Sequence, residues 1–90
     1  MMKEAPISIE NELGLHMRAA GKFARLAGRF RARVTLVHDG AVVDGKSIVG
    51  LLTLAAAKGV TLTLRTEGDD EVEAFTALQE LVAGKFGEEA

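Results

Sequence analysis

The sequence predicts an α+β fold, a two-layer open-faced β-sandwich with the element order βαββαβα. Four short stretches alternate apolar and polar residues, as strands buried on one face do, and three others repeat apolar residues at helical spacing. The pair Asp39-Gly40 stands between two alternating stretches and indicates a tight hairpin. We therefore expect one domain over residues 1–90, with a four-stranded antiparallel sheet and three helices on one face.

The strand predictions rest on this alternation, because side chains on a strand point to opposite faces in turn. The four predicted strands cover residues 5–10, 32–38, 41–44 and 60–66. Their expected inward-facing residues include Ile7, Ile9, Val34, Leu36, Leu62 and Leu64. The opposite face of each strand is mostly polar, so one face of the sheet is expected to meet water.

The first predicted helix runs from Met17 to Phe30, with apolar residues at helical spacing. A basic stripe on another face consists of Arg18, Lys22, Arg25 and Arg29. The helix is therefore amphipathic with a basic edge.

Two further helices are marked by their ends. Ser47 suits an N-cap and Gly59 a C′ position, with a buried stripe formed by Ile48, Leu51, Leu52 and Ala55. Asp70 and Glu73 have the spacing of a capping box, and Gly84 or Gly87 would end this last helix. Its inward-facing residues are expected to be Ala74, Leu78, Leu81 and Val82.

Composition and charge exclude several classes of protein. The formal net charge of −2 gives no general attraction for nucleic acid, and the absence of cysteine excludes disulfides and sulfur-based zinc sites. The amino terminus lacks the apolar region of a secretory signal, and the longest apolar stretch is far below the roughly 20 residues that span a bilayer. We expect a cytoplasmic protein without membrane insertion or a cofactor.

His16 is the residue that points to chemistry, because it directly precedes the first predicted helix. The first turn of a helix has backbone N–H groups without partners and carries the positive end of the dipole, which together favour anions. A neutral imidazole there could accept a phosphoryl group, steadied by those N–H groups and by Arg18. Spacing alone also allows His16 to be an incidental helix-flanking residue and Arg18 a solvated one. His38 is expected at the surface and forms no metal-binding pattern with His16.

Two separate blocks of sequence carry a resemblance to a known family. The stretch NELGLHMRAAGKFARLAGRF, followed by VVDGKSIVGLLTLAAAKG, resembles the histidine-containing phosphocarrier (HPr) family of the bacterial sugar phosphotransferase system. The family's blocks are usually written GLHARPA and close to AKSIMGLM. Met17 stands here for the usual alanine and Ala19 for the usual proline, which leaves the phosphate-binding groups in place but bears on transfer rate.

The resemblance implies a function without catalytic turnover by the chain itself. His16 would accept phosphate on Nδ1 from phosphorylated enzyme I and pass it to an enzyme IIA domain, while Arg18 would stabilise the phosphoryl group. Two alternatives stay open: a regulatory, nitrogen-type phosphotransferase carrier, and a small α+β ligand-binding or protein-binding domain that is never phosphorylated. The protein is expected to be a monomer.

Ser47 and its neighbours have further roles by the same resemblance. In some family members the matching serine is phosphorylated by an HPr kinase/phosphorylase, whereas the residue pattern alone indicates an N-cap. Partner binding is assigned to an apolar centre with a basic rim, formed by Met17, Lys22, Arg25, Lys46, Ile48, Val49 and Leu52. The alternative is a slightly exposed helix with solvated basic side chains.

Overall fold

A computed structural model describes all 90 residues and contains four strands and three helices. In chain order the elements are β1 (Met2–Ser8), α1 (Met17–Ala27), β2 (Arg33–His38), β3 (Ala41–Asp44), α2 (Ile48–Thr53), β4 (Thr61–Glu67) and α3 (Glu71–Ala83). A short turn at Lys85–Gly87 follows α3. The predicted order βαββαβα is therefore confirmed.

The strands form one antiparallel sheet in the order β1-β4-β2-β3. Ile7 lies opposite Leu62, and Leu36 lies opposite both Leu64 and Val43, so each strand places its apolar residues on the same face. This alternation leaves the other face of the sheet to water, and the predicted open-faced sandwich is confirmed. The Asp39-Gly40 hairpin is present, with positive φ at both residues.

The core lies between the inner face of the sheet and the helices. It is one cluster of 19 buried apolar residues, in which Phe23 from α1, Leu51 from α2 and Leu78 from α3 are almost fully buried. Gly45 also belongs to this packing, because a Cβ there would lie 2.5 Å from the Val34 side chain. The cluster fixes α1 and α2 side by side at the edge where the candidate site forms.

Several predicted boundaries were wrong by a few residues. β1 begins at Met2 rather than residue 5, because all of its residues up to Ser8 pair with β4. α1 ends at Ala27 rather than Phe30, because Gly28 caps the helix and the next residues make tight turns. β2 and β4 each begin one residue later than expected, and β4 extends to Glu67.

The second predicted helix was too long. α2 ends at Thr53, and Ala55 adopts a left-handed conformation (φ 49°) and is exposed, so its predicted burial was wrong. Gly59 is not the C′ residue of α2, because its N–H instead donates to the carbonyl of Ile9. The segment between α2 and β4 therefore packs on the loop that leads to His16.

The predicted capping box of α3 was also wrong. Asp70 occupies the N-cap, but its carboxylate accepts hydrogen bonds from the backbone N–H groups of Arg31 and Ala32, at 2.9 and 2.8 Å. The bond from Arg31, followed by that from Ala32, holds the pKa of Asp70 below its usual value. Tertiary hydrogen bonds therefore replace the local cap. The carboxylate of Glu71, rather than that of Glu73, accepts a backbone N–H before the helix, from Gly68. None of the helices has the length and apolar character needed to span a membrane.

Candidate functional site

The position of His16 depends on a glycine, Gly14, in the loop before α1. Gly14 has φ 68°, and a Cβ at this residue would lie 2.5 Å from the carbonyl oxygen of Ala56. The next residue, Leu15, is buried and donates its N–H to the same carbonyl at 2.8 Å. Only glycine allows this close approach, which fixes the loop against the segment after α2 and presents His16 at the helix start.

His16 is the N-cap of α1, a position usually taken by Ser, Thr, Asp or Asn. Its Nδ1 accepts a hydrogen bond from the backbone N–H of Arg18 at 3.3 Å. Because a backbone N–H can only donate, Nδ1 is the ring nitrogen with the free electron pair, and in the neutral ring the proton resides on Nε2. The side chain is 26% exposed, so the ring is accessible from one side.

The first turn of α1 provides further donors beside the ring. The backbone N–H groups of Met17 and Ala19 make no hydrogen bond within the protein. The Arg18 side chain is exposed and its guanidinium makes no hydrogen bond or ion pair. Ala19 is fully buried, so the free N–H of exposed Met17 and the uncommitted Arg18 cation are the accessible donors at the start of the helix, where an anion would bind.

Glu88 is part of this site, and sequence reasoning missed it. Its Oε2 lies 2.6 Å from Nε2 of His16, and its Oε1 accepts a hydrogen bond from Nδ2 of the buried Asn11 at 2.9 Å. The hydrogen bond from His16, and next that from Asn11, hold the pKa of Glu88 below its usual value. No local pattern could have revealed it, since 72 residues separate Glu88 from His16.

The residues assigned to partner binding lie on two helices that pack together. Met17 and Val49 are 69% and 74% exposed, Ile48 is 38% exposed and Leu52 is half-buried. We call these four residues the apolar patch. Exposure alone does not distinguish them, because Leu13 and Val42 are 70% and 63% exposed elsewhere. The four residues lie on two helices that contact each other, and clustered apolar side chains are typical of docking surfaces.

The three basic residues predicted to surround the apolar patch differ in whether their side chains are hydrogen-bonded to the protein. Arg25 is exposed and makes no ion pair. Lys22 and Lys46 each donate an ammonium hydrogen to a backbone carbonyl, of Phe86 at 2.7 Å and of Phe30 at 2.8 Å. Each of these two lysines is therefore tethered to the fold rather than free in solvent.

Ser47 is the N-cap of α2. Its Oγ accepts the N–H of Gly50 at 3.0 Å and the residue is half-buried, so the cap interpretation describes its structural role. His38 is half-buried at the hairpin, far along the chain from the α1 start. Neither surface depression of the molecule is lined by His16, and the site is therefore shallow.

Comparison with known proteins identifies the family of the chain. The family model described as the PTS HPr component phosphorylation site matches residues 3–84. The phosphocarrier protein HPr of Neisseria meningitidis serogroup A is 49% identical over 88 residues, covering 98% of each chain.

Solved structures are equally similar. HPr-C-His from Thermoanaerobacter tengcongensis is 42% identical, with a TM-score of 0.94 and coverage of 98% of this chain and 99% of that one. An HPr dimer from the same organism is 41% identical, with a TM-score of 0.76 and coverage of 96% and 99%. The fold and the comparisons place the chain in the class of the PTS HPr components. The chain belongs to the HPr family.

Proposed function

We propose that this chain carries a phosphoryl group on His16 between two proteins of the sugar phosphotransferase system. Phosphorylated enzyme I donates the group to Nδ1, and a histidine of an enzyme IIA domain receives it, in the cytoplasm. The observation that carries the proposal is the N-cap geometry of His16, in which Nδ1 faces the donors of the helix start. We assign the function to one domain and one copy of the chain, because His16, Arg18 and the first turn of α1 all come from the same chain.

The chemistry requires a nucleophile and a place for negative charge. The Nδ1 electron pair leaves the N–H of Arg18 and attacks phosphorus, the donor's own bond to phosphorus breaks, and the electron pair of that bond stays with the donor. The N–H of Met17 and the guanidinium of Arg18, both on exposed residues, would hold the phosphoryl oxygens. A shallow site suits this transfer, since two large partners must reach the same nitrogen in line.

Incubation with phosphoenolpyruvate and enzyme I, followed by mass spectrometry, tests the proposal. We expect one phosphate that is labile in acid and stable in base, and its loss when an enzyme IIA domain is added. Comparing a sugar-type with a nitrogen-type enzyme I separates sugar uptake from the regulatory carrier. Absence of phosphate with both enzymes, or an acid-stable phosphate, would contradict the proposal.

Replacing Arg18 by alanine is expected to slow phosphoryl transfer about tenfold or more, because a charge-assisted contact with the transferring group is lost. The fold should remain intact, since the Arg18 side chain makes no contact that holds the structure. Rapid-quench kinetics with enzyme I measures the rate, and Arg29→Ala is the matched control. Equal rates for the two variants would mean that Arg18 does not act on the phosphoryl group.

Partner binding is proposed at the apolar patch with its basic surroundings. Exposed Met17 and Val49 would be covered by an apolar surface on the partner, and Arg25 would meet acidic residues at the edge. Tethered Lys22 and Lys46 add positive potential to the same region. This arrangement suits brief docking on acidic proteins, among them enzyme I and enzyme IIA domains.

Ser47 is the proposed site of regulatory phosphorylation by HPr kinase/phosphorylase, and Ser47→Asp is expected to weaken enzyme I binding. Aspartate caps a helix as well as serine does, so the change adds negative charge without removing the cap. Ser47→Asn is the matched control, because asparagine also caps but stays neutral. Isothermal titration should give a Kd about tenfold higher for the aspartate variant alone, and equal Kd values would refute charge repulsion.

A further inference from the structure

The carboxyl-terminal segment folds back over the side of the His16 ring. Lys85, Phe86 and Gly87 all have positive φ, at 58°, 56° and 80°, which reverses the chain after α3. Two of these residues, Lys85 and Phe86, are not glycine. A non-glycine residue in this conformation is strained and keeps it only where its surroundings hold it there. The buried Phe86 ring and the Lys22 hydrogen bond to the Phe86 carbonyl provide that support.

This reversal places Glu88 where both of its carboxylate oxygens are engaged. One oxygen lies 2.6 Å from Nε2 of His16, and the other accepts the amide of fully buried Asn11. The backbone of Glu12 additionally donates to the carbonyl of Ala90 at 2.6 Å, which secures the end of the segment. The Glu88 side chain is only 14% exposed, so water competes little for its contact with the ring.

A carboxylate held against one ring nitrogen determines where the proton of a neutral imidazole resides. The carboxylate can only accept, so Nε2 must donate and the electron pair remains on Nδ1. The N–H of Arg18 favours the same tautomer from the other side of the ring. The two contacts together prepare Nδ1 as the nucleophile before any partner binds.

We propose that Glu88 is a positioning residue for phosphoryl transfer, holding the proton on Nε2 of His16 so that Nδ1 alone presents an electron pair to phosphorus. This inference rests on the proposed function. As the Nδ1–phosphorus bond forms and the donor's phosphorus–nitrogen bond breaks, Nε2 keeps its proton and the ring becomes positive. The Glu88 carboxylate stabilises that charge, as a buried carboxylate does behind a catalytic histidine. When the group leaves for the acceptor, the same proton stays on Nε2.

Glu88→Gln tests this role, with Glu89→Gln as the control that removes the same charge from an exposed neighbour. Ring ¹⁵N chemical shifts of unphosphorylated protein report the tautomer, and steady-state kinetics with the carrier as substrate of enzyme I report kcat and KM. For Glu88→Gln we expect a smaller share of the Nε2–H tautomer, because a neutral amide accepts from Nε2–H more weakly than a carboxylate and its NH2 group can donate to Nε2 instead. We also expect a kcat lowered about tenfold at unchanged KM. Glu89→Gln should match the unaltered protein in both measurements.

Three results would overturn the proposal: an unchanged tautomer in Glu88→Gln, an unchanged kcat, or a rise in KM alone. A rise in KM alone would mean that Glu88 only shapes the docking surface. The tautomer measurement needs no partner, so it is independent of the phosphocarrier function. If the unaltered protein and Glu89→Gln were both inert with enzyme I, the proposed function would fail instead, whatever the tautomer.

Discussion

His16→Ala is expected to abolish phosphorylation by enzyme I and phosphoenolpyruvate. The variant has no imidazole nitrogen at the N-cap of α1 to attack phosphorus. Phosphate incorporation, measured by mass spectrometry, should fall to the background of a reaction without enzyme I. Loss of the N-cap should lower the free energy of unfolding by about 1 kcal/mol, which leaves the protein folded.

The second histidine supplies the control for this experiment. His38→Ala changes the same residue type at the hairpin, away from the helix start, and should be phosphorylated like the unaltered chain. Circular dichroism on both variants establishes that they are folded. Phosphate retained in His16→Ala, or lost in His38→Ala, would mean that the acceptor has been misidentified.

Gly14→Ala is expected to have the largest effect on stability, and also to slow phosphorylation. The left-handed backbone costs a non-glycine residue about 1–2 kcal/mol, and overpacking against a backbone oxygen adds about 1–3 kcal/mol. The carbonyl of Ala56 cannot yield easily, because it also accepts the N–H of Leu15. We therefore expect a loss of about 3 kcal/mol in the free energy of unfolding, measured by urea denaturation.

Gly59→Ala separates the cost of a left-handed backbone from the cost of a steric clash with Ala56. Gly59 also has positive φ, at 90°, but a Cβ there would contact nothing within 4 Å. This variant should lose only about 1 kcal/mol and should be phosphorylated at the normal rate. If the two alanine variants were equally stable, the contact between Gly14 and Ala56 would not be what fixes the loop before His16.

The sequence was most informative where structure depends on neighbouring residues. Alternation predicted the inward-facing residues of β1, β2 and β4, and Asp39-Gly40 predicted the hairpin, because both signals are local. The predicted ends of helices were wrong where tertiary hydrogen bonds determine them. The Asp70 carboxylate accepts the backbone N–H groups of Arg31 and Ala32 instead of capping α3. The Gly59 N–H donates to the Ile9 carbonyl instead of ending α2.

The residues of the candidate site also differ in whether a local sequence signal could identify them. His16 and Arg18 could be singled out because they are adjacent to a predicted helix start, and Ser47 because caps have a residue preference. Glu88 could not, because its contacts with His16 and Asn11 depend on three successive left-handed residues after α3. Two of those residues are Lys85 and Phe86, which give no local signal for that conformation.

Nuclear magnetic resonance of the phosphorylated, ¹⁵N-histidine-labelled protein tests the central claim most directly, since coupling between ¹⁵N and ³¹P identifies the bonded nitrogen. The account predicts coupling to Nδ1 of His16, with a proton on Nε2. Coupling to Nε2, or to either nitrogen of His38, would contradict it.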